Sequence, residues 1–286
     1  MEIKKVKIGD AIIFTPLELR EKYKILLFFT AKRGGFSSGK YKSLNTAYHV
    51  GDDTDFVTKN RLKILKLFGY AKITGLISLN QMHSDKIVAI NDNFLKENPG
   101  FINKPADFSK QNIPIVNSAD GLITDISLLP IIVMGADCNL ILMADIKKKV
   151  IAAVHAGWRG VLNQIVLNAL NSLKEKYDSN LKDILIFIGP SIRKCCFKVT
   201  EDIFSLFYRK FKGKMAFKKY KDEIENIDYF FIDLVNIISD DLQKSGILKE
   251  NISDIGLCTC CDKDNLFYSY RKEKITGRHA GVIMLE

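Results

Sequence analysis

The sequence predicts one α+β domain, and three observations predict it. Short apolar runs bounded by turn signals recur along the chain; they are too short for helices and suit buried strands. Between them lie segments of helical period, the clearest at residues 161–173, where Val161, Ile165, Val166, Ala169, Leu170 and Leu173 share one face. No linker, repeat or low-complexity segment divides the 286 residues, so residues 1–286 are expected as a single domain.

Taken in order, residues 12–14 and 25–30 read as strands. Residues 31–45 carry three glycines and three serines and read as a loop, with Arg33 and Asn45 as its chemically capable members. Asp53 or Thr54 caps a helix that places Phe56, Leu62, Leu65 and Phe68 at helical spacing and stops at Gly69. Residues 76–79 and 86–90 read as strands around the polar turn Asn80-Gln81-Met82-His83-Ser84. A histidine in such a turn can be aimed at a shared pocket, although a lone one is more often a surface residue. Residues 91–117, with Pro99, Gly100, Pro105 and Pro114, have the weakest period and read as a long loop or lid. Residues 119–125 return to a strand, and residues 184–188 form another that ends in Gly189-Pro190-Ser191. A helix starts at Thr200, a further one covers residues 233–243, and residues 255–257, 267–270 and 281–285 read as closing strands.

Composition narrows the function classes. Hydrophobic residues make up 47% and aromatic residues 10%, enough for a sizeable core. The formal net charge is +10, from 43 Lys+Arg against 33 Asp+Glu. That excess suits an anionic partner, but it reads more plainly as lysines on solvated faces. Lys147-Lys148-Lys149 looks like a hairpin turn, and Lys218, Lys219 and Lys221 run into Asp222 and Glu223. No aromatic-interleaved basic stripe is visible, so nucleic acid is not an expected partner. The longest apolar run, residues 128–136, is too short to span a bilayer, and no signal peptide is read at Met1-Glu2-Ile3-Lys4-Lys5. A cytoplasmic protein, a monomer or homodimer with reduced thiols, is expected. Cys258, Cys260 and Cys261 resemble half of a zinc knuckle, but no second Cys/His pair has matching spacing, and buried or semi-buried thiols near a strand end are the plainer reading.

The chemistry centres on residues 134–160. Two apolar runs flank Lys147-Lys148-Lys149, with Cys138 before the first run and His155 after the second. A hairpin would put both at one end. Three readings follow. With His83 they make a His2Cys metal site with an open fourth position. Alone they make a cysteine nucleophile and its base. The third is a buried thiol and a strand-end histidine with no shared role. After His155 the pattern runs strand, glycine turn, helix, where free N–H groups favour an anion; the P-loop spacing is absent.

Further motifs accompany this stretch: Lys-Arg-Gly-Gly-Phe-Ser with Ser-Leu-Asn, His-Val-Gly-Asp-Asp, Asn60-Arg61, Gln-Met-His-Ser, Ala-Asp-Gly-Leu-Ile-Thr, Ala-Asp-Cys, His-Ala-Gly-Trp-Arg-Gly, Ile-Gly-Pro-Ser-Ile, Ser-Tyr-Arg and Thr-Gly-Arg. In this order, over nearly the whole chain, they closely resemble the YfiH family, also called multicopper polyphenol oxidase or laccase-domain proteins and described as purine nucleoside phosphorylases. Phe36, where an aliphatic residue is more usual, and Lys272, where a second arginine is frequent, are small departures that touch none of the candidate ligands.

The resemblance implies a layered α+β domain with mixed β-sheets flanked by helices, related to a cysteine-dependent deamidase toxin fold. It implies zinc on His83, Cys138 and His155, phosphorolysis of adenosine, inosine and methylthioadenosine, and deamination of adenosine. Within that reading, Asp137 is the expected proton shuttle. Arg33 and Arg159 are expected to hold phosphate, with Arg61, Arg271 and Arg278 in reserve. Asn45 and Gln81 are expected to read purine or ribose edges. Purine nucleosides and phosphate are the expected partners. Copper is the alternative metal, with Met82, Met134 or Met143 as a weak axial ligand in a polyphenol oxidase. Four histidines are few for a multicopper cluster. A Cys138/His155 amidase editing a cell-wall precursor is the other alternative.

Overall fold

Most central strands are apolar on both faces, so each sheet must be covered twice. The computed structural model describes residues 1–70, 76–98, 115–116, 118–212, 216–222 and 227–286. Strands β1 (Lys4–Ile8) and β2 (Ala11–Thr15), helix α1 (Leu17–Tyr23) and β3 (Ile25–Thr30) come first. Helix α2 (Thr54–Lys66), β4 (Ser78–Leu79), β5 (Ile87–Ile90), α3 (Asp92–Glu97), β6 (Ile115–Val116) and β7 (Gly121–Thr124) follow. The centre is β8 (Ile131–Gly135), β9 (Asn139–Asp145) and β10 (Val150–Ala156), then α4 (Trp158–Leu162) and α5 (Ile165–Tyr177). Next come β11 (Ile184–Ile188), β12 (Lys198–Val199), α6 (Glu201–Lys210), β13 (Phe217–Asp222), β14 (Ile227–Ile232) and α7 (Leu234–Lys244). The last are β15 (Ile252–Asp254), α8 (Tyr270–Glu273) and β16 (His279–Leu285).

One sheet has the order β1-β2-β3-β16-β8 and is antiparallel throughout. A second has the order β15-β11-β9-β10-β7-β5 and is mixed, because its two edge strands run parallel to their neighbours, and β12-β14-β13 and β4-β6 form two further small sheets. The two large sheets face each other. Leu27, Phe29, Ile131, Val133 and Ile283 of the first meet Leu140, Leu142, Ile151, Ala153 and Phe187 of the second. The alternate residues point outward. Leu26, Phe28, Ile132 and Val282 pack under α2, while Ile141, Met143, Ala152, Val154 and Ile186 pack under α5 and α7. The result is helix, sheet, sheet, helix, the layered α+β fold with mixed sheets.

This alternation places the site. On β10, residues 151 and 153 face the other sheet, so His155 does too. On β9, Leu140 and Leu142 face the same way, and the parity carries back to Cys138. The β9–β10 hairpin pairs His155 with Leu140. Both candidate ligands therefore look into the end of the gap between the sheets.

Several expectations are corrected. The helix expected over residues 161–173 is two helices, because Gln164 takes a left-handed φ of 59°. Both segments bury the same side, so the apolar period runs through the break unseen. Residues 255–257 are not a strand; the pairing lies three residues earlier, at β15. Residues 267–270 form no strand either. Leu266, Phe267 and Tyr268 are buried as irregular chain before α8. The loop expected at residues 91–117 contains α3 and β6; residues 99–114 and 117 lie outside the described residues. Among the described residues, no helix is long and apolar enough to cross a membrane.

Candidate metal centre and its pocket

Three loop ends meet at the gap between the sheets. His83 comes from the turn after β4, Cys138 from the tight turn between β8 and β9, and His155 from the end of β10. One ligand atom of each lies within 4.8 Å of the others. Cys138 Sγ is 3.8 Å from His83 Nε2, and the two imidazoles meet edge to face at 5.1 Å. The turn that presents Cys138 holds Asp137 at φ 99°, an uncommon conformation for a side chain other than glycine. Gly157 makes the approach possible. A Cβ there would sit 2.7 Å from His83 Cδ2 and 3.2 Å from Cys138 Sγ.

A buried carboxylate organises this group. Asp120 accepts from the N–H groups of Met82 (3.1 Å), His83 (3.1 Å) and Ser84 (2.6 Å), and from the Ser84 hydroxyl (2.7 Å). It also lies 2.8 Å from Nδ1 of His155. Asp120 thus fixes the backbone that carries one imidazole and the ring of the other. Burial works against its charge, but hydrogen bonds from His155 and Ser84 outweigh it and hold its pKa at about 2. Burial also disfavours the Cys138 thiolate, and the charge and hydrogen bond of His155, aided by His83, reverse this and lower its pKa. His155 is raised in turn: burial opposes its charge, while Cys138 and Asp120 overcome it. A thiolate and two imidazoles, one oriented through Nδ1 by a carboxylate, form a donor set suited to zinc with one position left open.

The group opens into a cavity of about 500 Å³, a size suited to a small ligand. Its walls include the apolar or aromatic faces of Met134, Trp158, Phe197 and Tyr270, and the cations Arg271, Lys274 and Arg278.

Residues 26–286 match the family model described as multi-copper polyphenol oxidoreductase laccase. The chain belongs to this family. It is 31% identical over 260 residues to a purine nucleoside phosphorylase of Haemophilus influenzae, covering 91% of this chain and 93% of that protein. It is 28% identical over 259 residues to purine nucleoside phosphorylase YlmD of Bacillus subtilis, covering 89% and 86%. The crystal structure of YfiH from Bacillus licheniformis superposes with a TM-score of 0.83 at 26% identity, covering 99% of both chains. YlmD from Geobacillus stearothermophilus, 24% identical, shares the fold at a TM-score of 0.83 over the whole of both chains.

In this laccase-domain chain the expected site residues divide into two groups. Gln81, Asp137, Arg271 and Arg278 line the cavity with the three candidate ligands. Gln81 is clasped to the backbone of Met134, donating to its carbonyl at 2.8 Å and accepting from its N–H at 2.9 Å. Asp137 accepts from the Thr259 hydroxyl (2.7 Å) and the Arg271 N–H (2.6 Å), so both its oxygens are engaged in holding the wall. Arg33 lies elsewhere, in a separate basic cavity with Lys40 and Lys42, and donates to the Asp264 carbonyl at 2.9 Å. Arg159 is exposed and stacks on Trp158 at 4.2 Å, and it is not among the residues that line the cavity. Asn45 is fully buried, and its amide is taken up by Ala47, Asp52 and the N–H of Arg278. Arg61 is buried against Thr46, Met134 and Tyr48, and burial lowers its pKa to about 10. Asn45 and Arg61 therefore reach the cavity only through the segments they hold.

Sequence reasoning missed the roles of Asp120, His49 and Lys274. Asp120 was legible only as part of the Ala-Asp-Gly-Leu-Ile-Thr motif. His49 and Lys274 join the cavity through chain reversals that carry no local signal.

Proposed function

We propose that this chain is a zinc-dependent purine nucleoside phosphorylase acting on adenosine, inosine and methylthioadenosine, and that the same pocket deaminates adenosine. The observation that carries the reading is the meeting of His83, Cys138 and His155 with Arg271, Lys274 and Arg278 in one aromatic-walled cavity. The names of the Haemophilus and Bacillus relatives support the substrate class. We further propose a cytoplasmic setting and a monomer or homodimer.

His83, Cys138 and His155 would hold the ion, which when bound supplies Lewis-acid chemistry. The chain's own residues do the rest. Trp158, Phe197 and Tyr270 give a purine an apolar face to lie against. Arg271 and Arg278 would hold phosphate by charge-assisted hydrogen bonds, with one oxygen directed at ribose C1′. Attack there forms the C1′–O bond as the N-glycosidic bond breaks, and the base departs with its electron pair. Asp137 is proposed as a positioning residue for Arg271 rather than a proton carrier, because both its oxygens are already hydrogen-bonded. Asp120 keeps the proton on Nδ1 of His155 and leaves Nε2 free to ligate.

The test is incubation of metal-loaded protein with adenosine, with and without phosphate, and identification of the products. Adenine and ribose 1-phosphate should form only with phosphate, and inosine with ammonia should form without it. Absence of both sets would overturn the reading.

One observation favours a second reading. Cys138, His155 and Asp120 form a hydrogen-bonded series of thiol, imidazole and carboxylate, the arrangement of a cysteine amidase. That reading predicts activity that survives chelation. A copper polyphenol oxidase would instead show visible absorption and oxidise phenols. Of the four histidines, His279 is fully buried away from this cavity.

A further inference from the structure

A second cluster of possible ligands lies beyond the pocket wall. Cys195 and Cys196 follow β11, while Cys258 and Cys261 follow β15. Although 62 or more positions separate the pairs in sequence, one sulfur of each of the four residues lies within 4.8 Å of the others. Cys195 and Cys261 approach to 3.5 Å, and these two are exposed while Cys196 and Cys258 are half-buried. All four are free thiols.

We propose that Cys195, Cys196, Cys258 and Cys261 bind a second metal ion, zinc, in a structural tetrathiolate centre. A tetrahedral ion with Zn–S bonds of about 2.3 Å sets its sulfurs roughly 3.8 Å apart. The observed cluster needs only a modest contraction to reach that edge. It is also much too tight to seat a cubane of iron and sulfide. Cys258-Thr259-Cys260-Cys261 is a C-x-x-C turn, the spacing that lets two sulfurs grip one ion. On binding, each thiol gives its proton to solvent, and the centre then carries net negative charge.

The scaffold is built to hold the two pairs together. Ser191 donates its N–H to the Leu257 carbonyl (3.3 Å), and Thr259 returns one to the Ser191 carbonyl (3.0 Å). Arg193 forks onto both oxygens of Asp254 at 2.7 Å and also donates to the Gly189 carbonyl (3.2 Å), tying the same two loops. Arg271 donates to the Cys196 carbonyl at 2.9 Å. An ion here would therefore pin the loop carrying Phe197 to the loop carrying Thr259, the partner of Asp137, and so stiffen one wall of the pocket. Tetrathiolate zinc of this kind contributes stability rather than chemistry.

The test is metal analysis of the full chain purified anaerobically with reductant. Wild type should hold about two zinc ions per chain, and His83→Ala and the pair Cys195→Ser/Cys261→Ser one each. Should the paired variant fail to fold, Cys138→Ser reloaded with cobalt decides. It should show the strong thiolate charge-transfer bands of a tetrahedral four-sulfur site, since its other metal site has lost its thiolate. A single ion per wild-type chain that disappears with His83→Ala overturns the proposal. So does a Cys195–Cys261 disulfide found by mass spectrometry in the reduced preparation, or a cobalt spectrum without thiolate bands.

Discussion

Replacing Asp120 by Asn removes one charge and changes no volume, so it isolates what the buried carboxylate does. Oδ2 of Asp120 receives the Met82 and Ser84 N–H groups and the Ser84 hydroxyl, and Oδ1 receives the His83 N–H and lies against Nδ1 of His155. All these partners are placed as donors. An asparagine has one oxygen and one amide, so in either orientation its amide confronts at least two donors. Losing two hydrogen bonds to a charged group, at about 1.5–3 kcal/mol each, predicts a destabilisation of roughly 3–6 kcal/mol. The loss of orientation at His155 predicts zinc binding weaker by about 10- to 100-fold. Urea denaturation of the metal-free protein reads the first effect, and competition with a chelator reads the second. Unchanged zinc affinity in a folded variant would show that Asp120 does not organise the site.

Other outcomes follow from the same geometry. Gly157→Ala should push His83 away from Cys138 and lower turnover by about 100-fold with the fold retained, checked by kinetics and circular dichroism. Arg271→Ala should raise the phosphate KM about 10-fold or more with little change for the nucleoside, whereas Arg33→Lys should leave phosphate dependence unaltered. His279 is fully buried, and burial lowers its pKa to about 3 against a weaker hydrogen bond with the backbone of Pro190. The unfolded chain takes up that proton near its ordinary value of about 6.5, before the folded chain does. Stability should therefore fall as pH drops from about 6.5 towards 3, by up to about 1.4 kcal/mol per pH unit from this group. Denaturation midpoints across that range should flatten in His279→Leu.

The strands were legible because they are buried on both faces. Residues 184–188 and the two runs around Lys147-Lys148-Lys149 match β11, β9 and β10 within a residue or two. The hairpin, and so the meeting of Cys138 with His155, followed from those runs and one turn. What sequence could not show is set by distance. The β13–β14 pairing was hidden because its lysines read as a solvated charge run, yet Lys218, Lys219 and Lys221 all pair with residues of β14. Arg33 and Arg159 attracted attention by lying next to glycine turns, but Arg33 lines a separate cavity and Arg159 stacks on Trp158 without itself lining the metal-site cavity. Arg271 and Arg278 reach the cavity because α8 and the start of β16 fold back over it, a tertiary fact with no local period. Cys258, Cys260 and Cys261 failed a spacing test for the same reason, since the cysteines that join Cys258 and Cys261, Cys195 and Cys196, come from a separate loop.

Whether Cys138 serves as a ligand or a nucleophile is the central question, and alkylation mapped by mass spectrometry addresses it most directly. A thiolate committed to zinc is a poor nucleophile, whereas a catalytic thiolate paired with His155 would be the fastest-reacting thiol in the chain. Protein loaded with zinc should show Cys138 protected, and chelation should expose it to labelling and abolish nucleoside turnover, with zinc restoring both. Rapid labelling of Cys138 in zinc-loaded protein, together with a covalent substrate adduct trapped on its sulfur, would contradict the account.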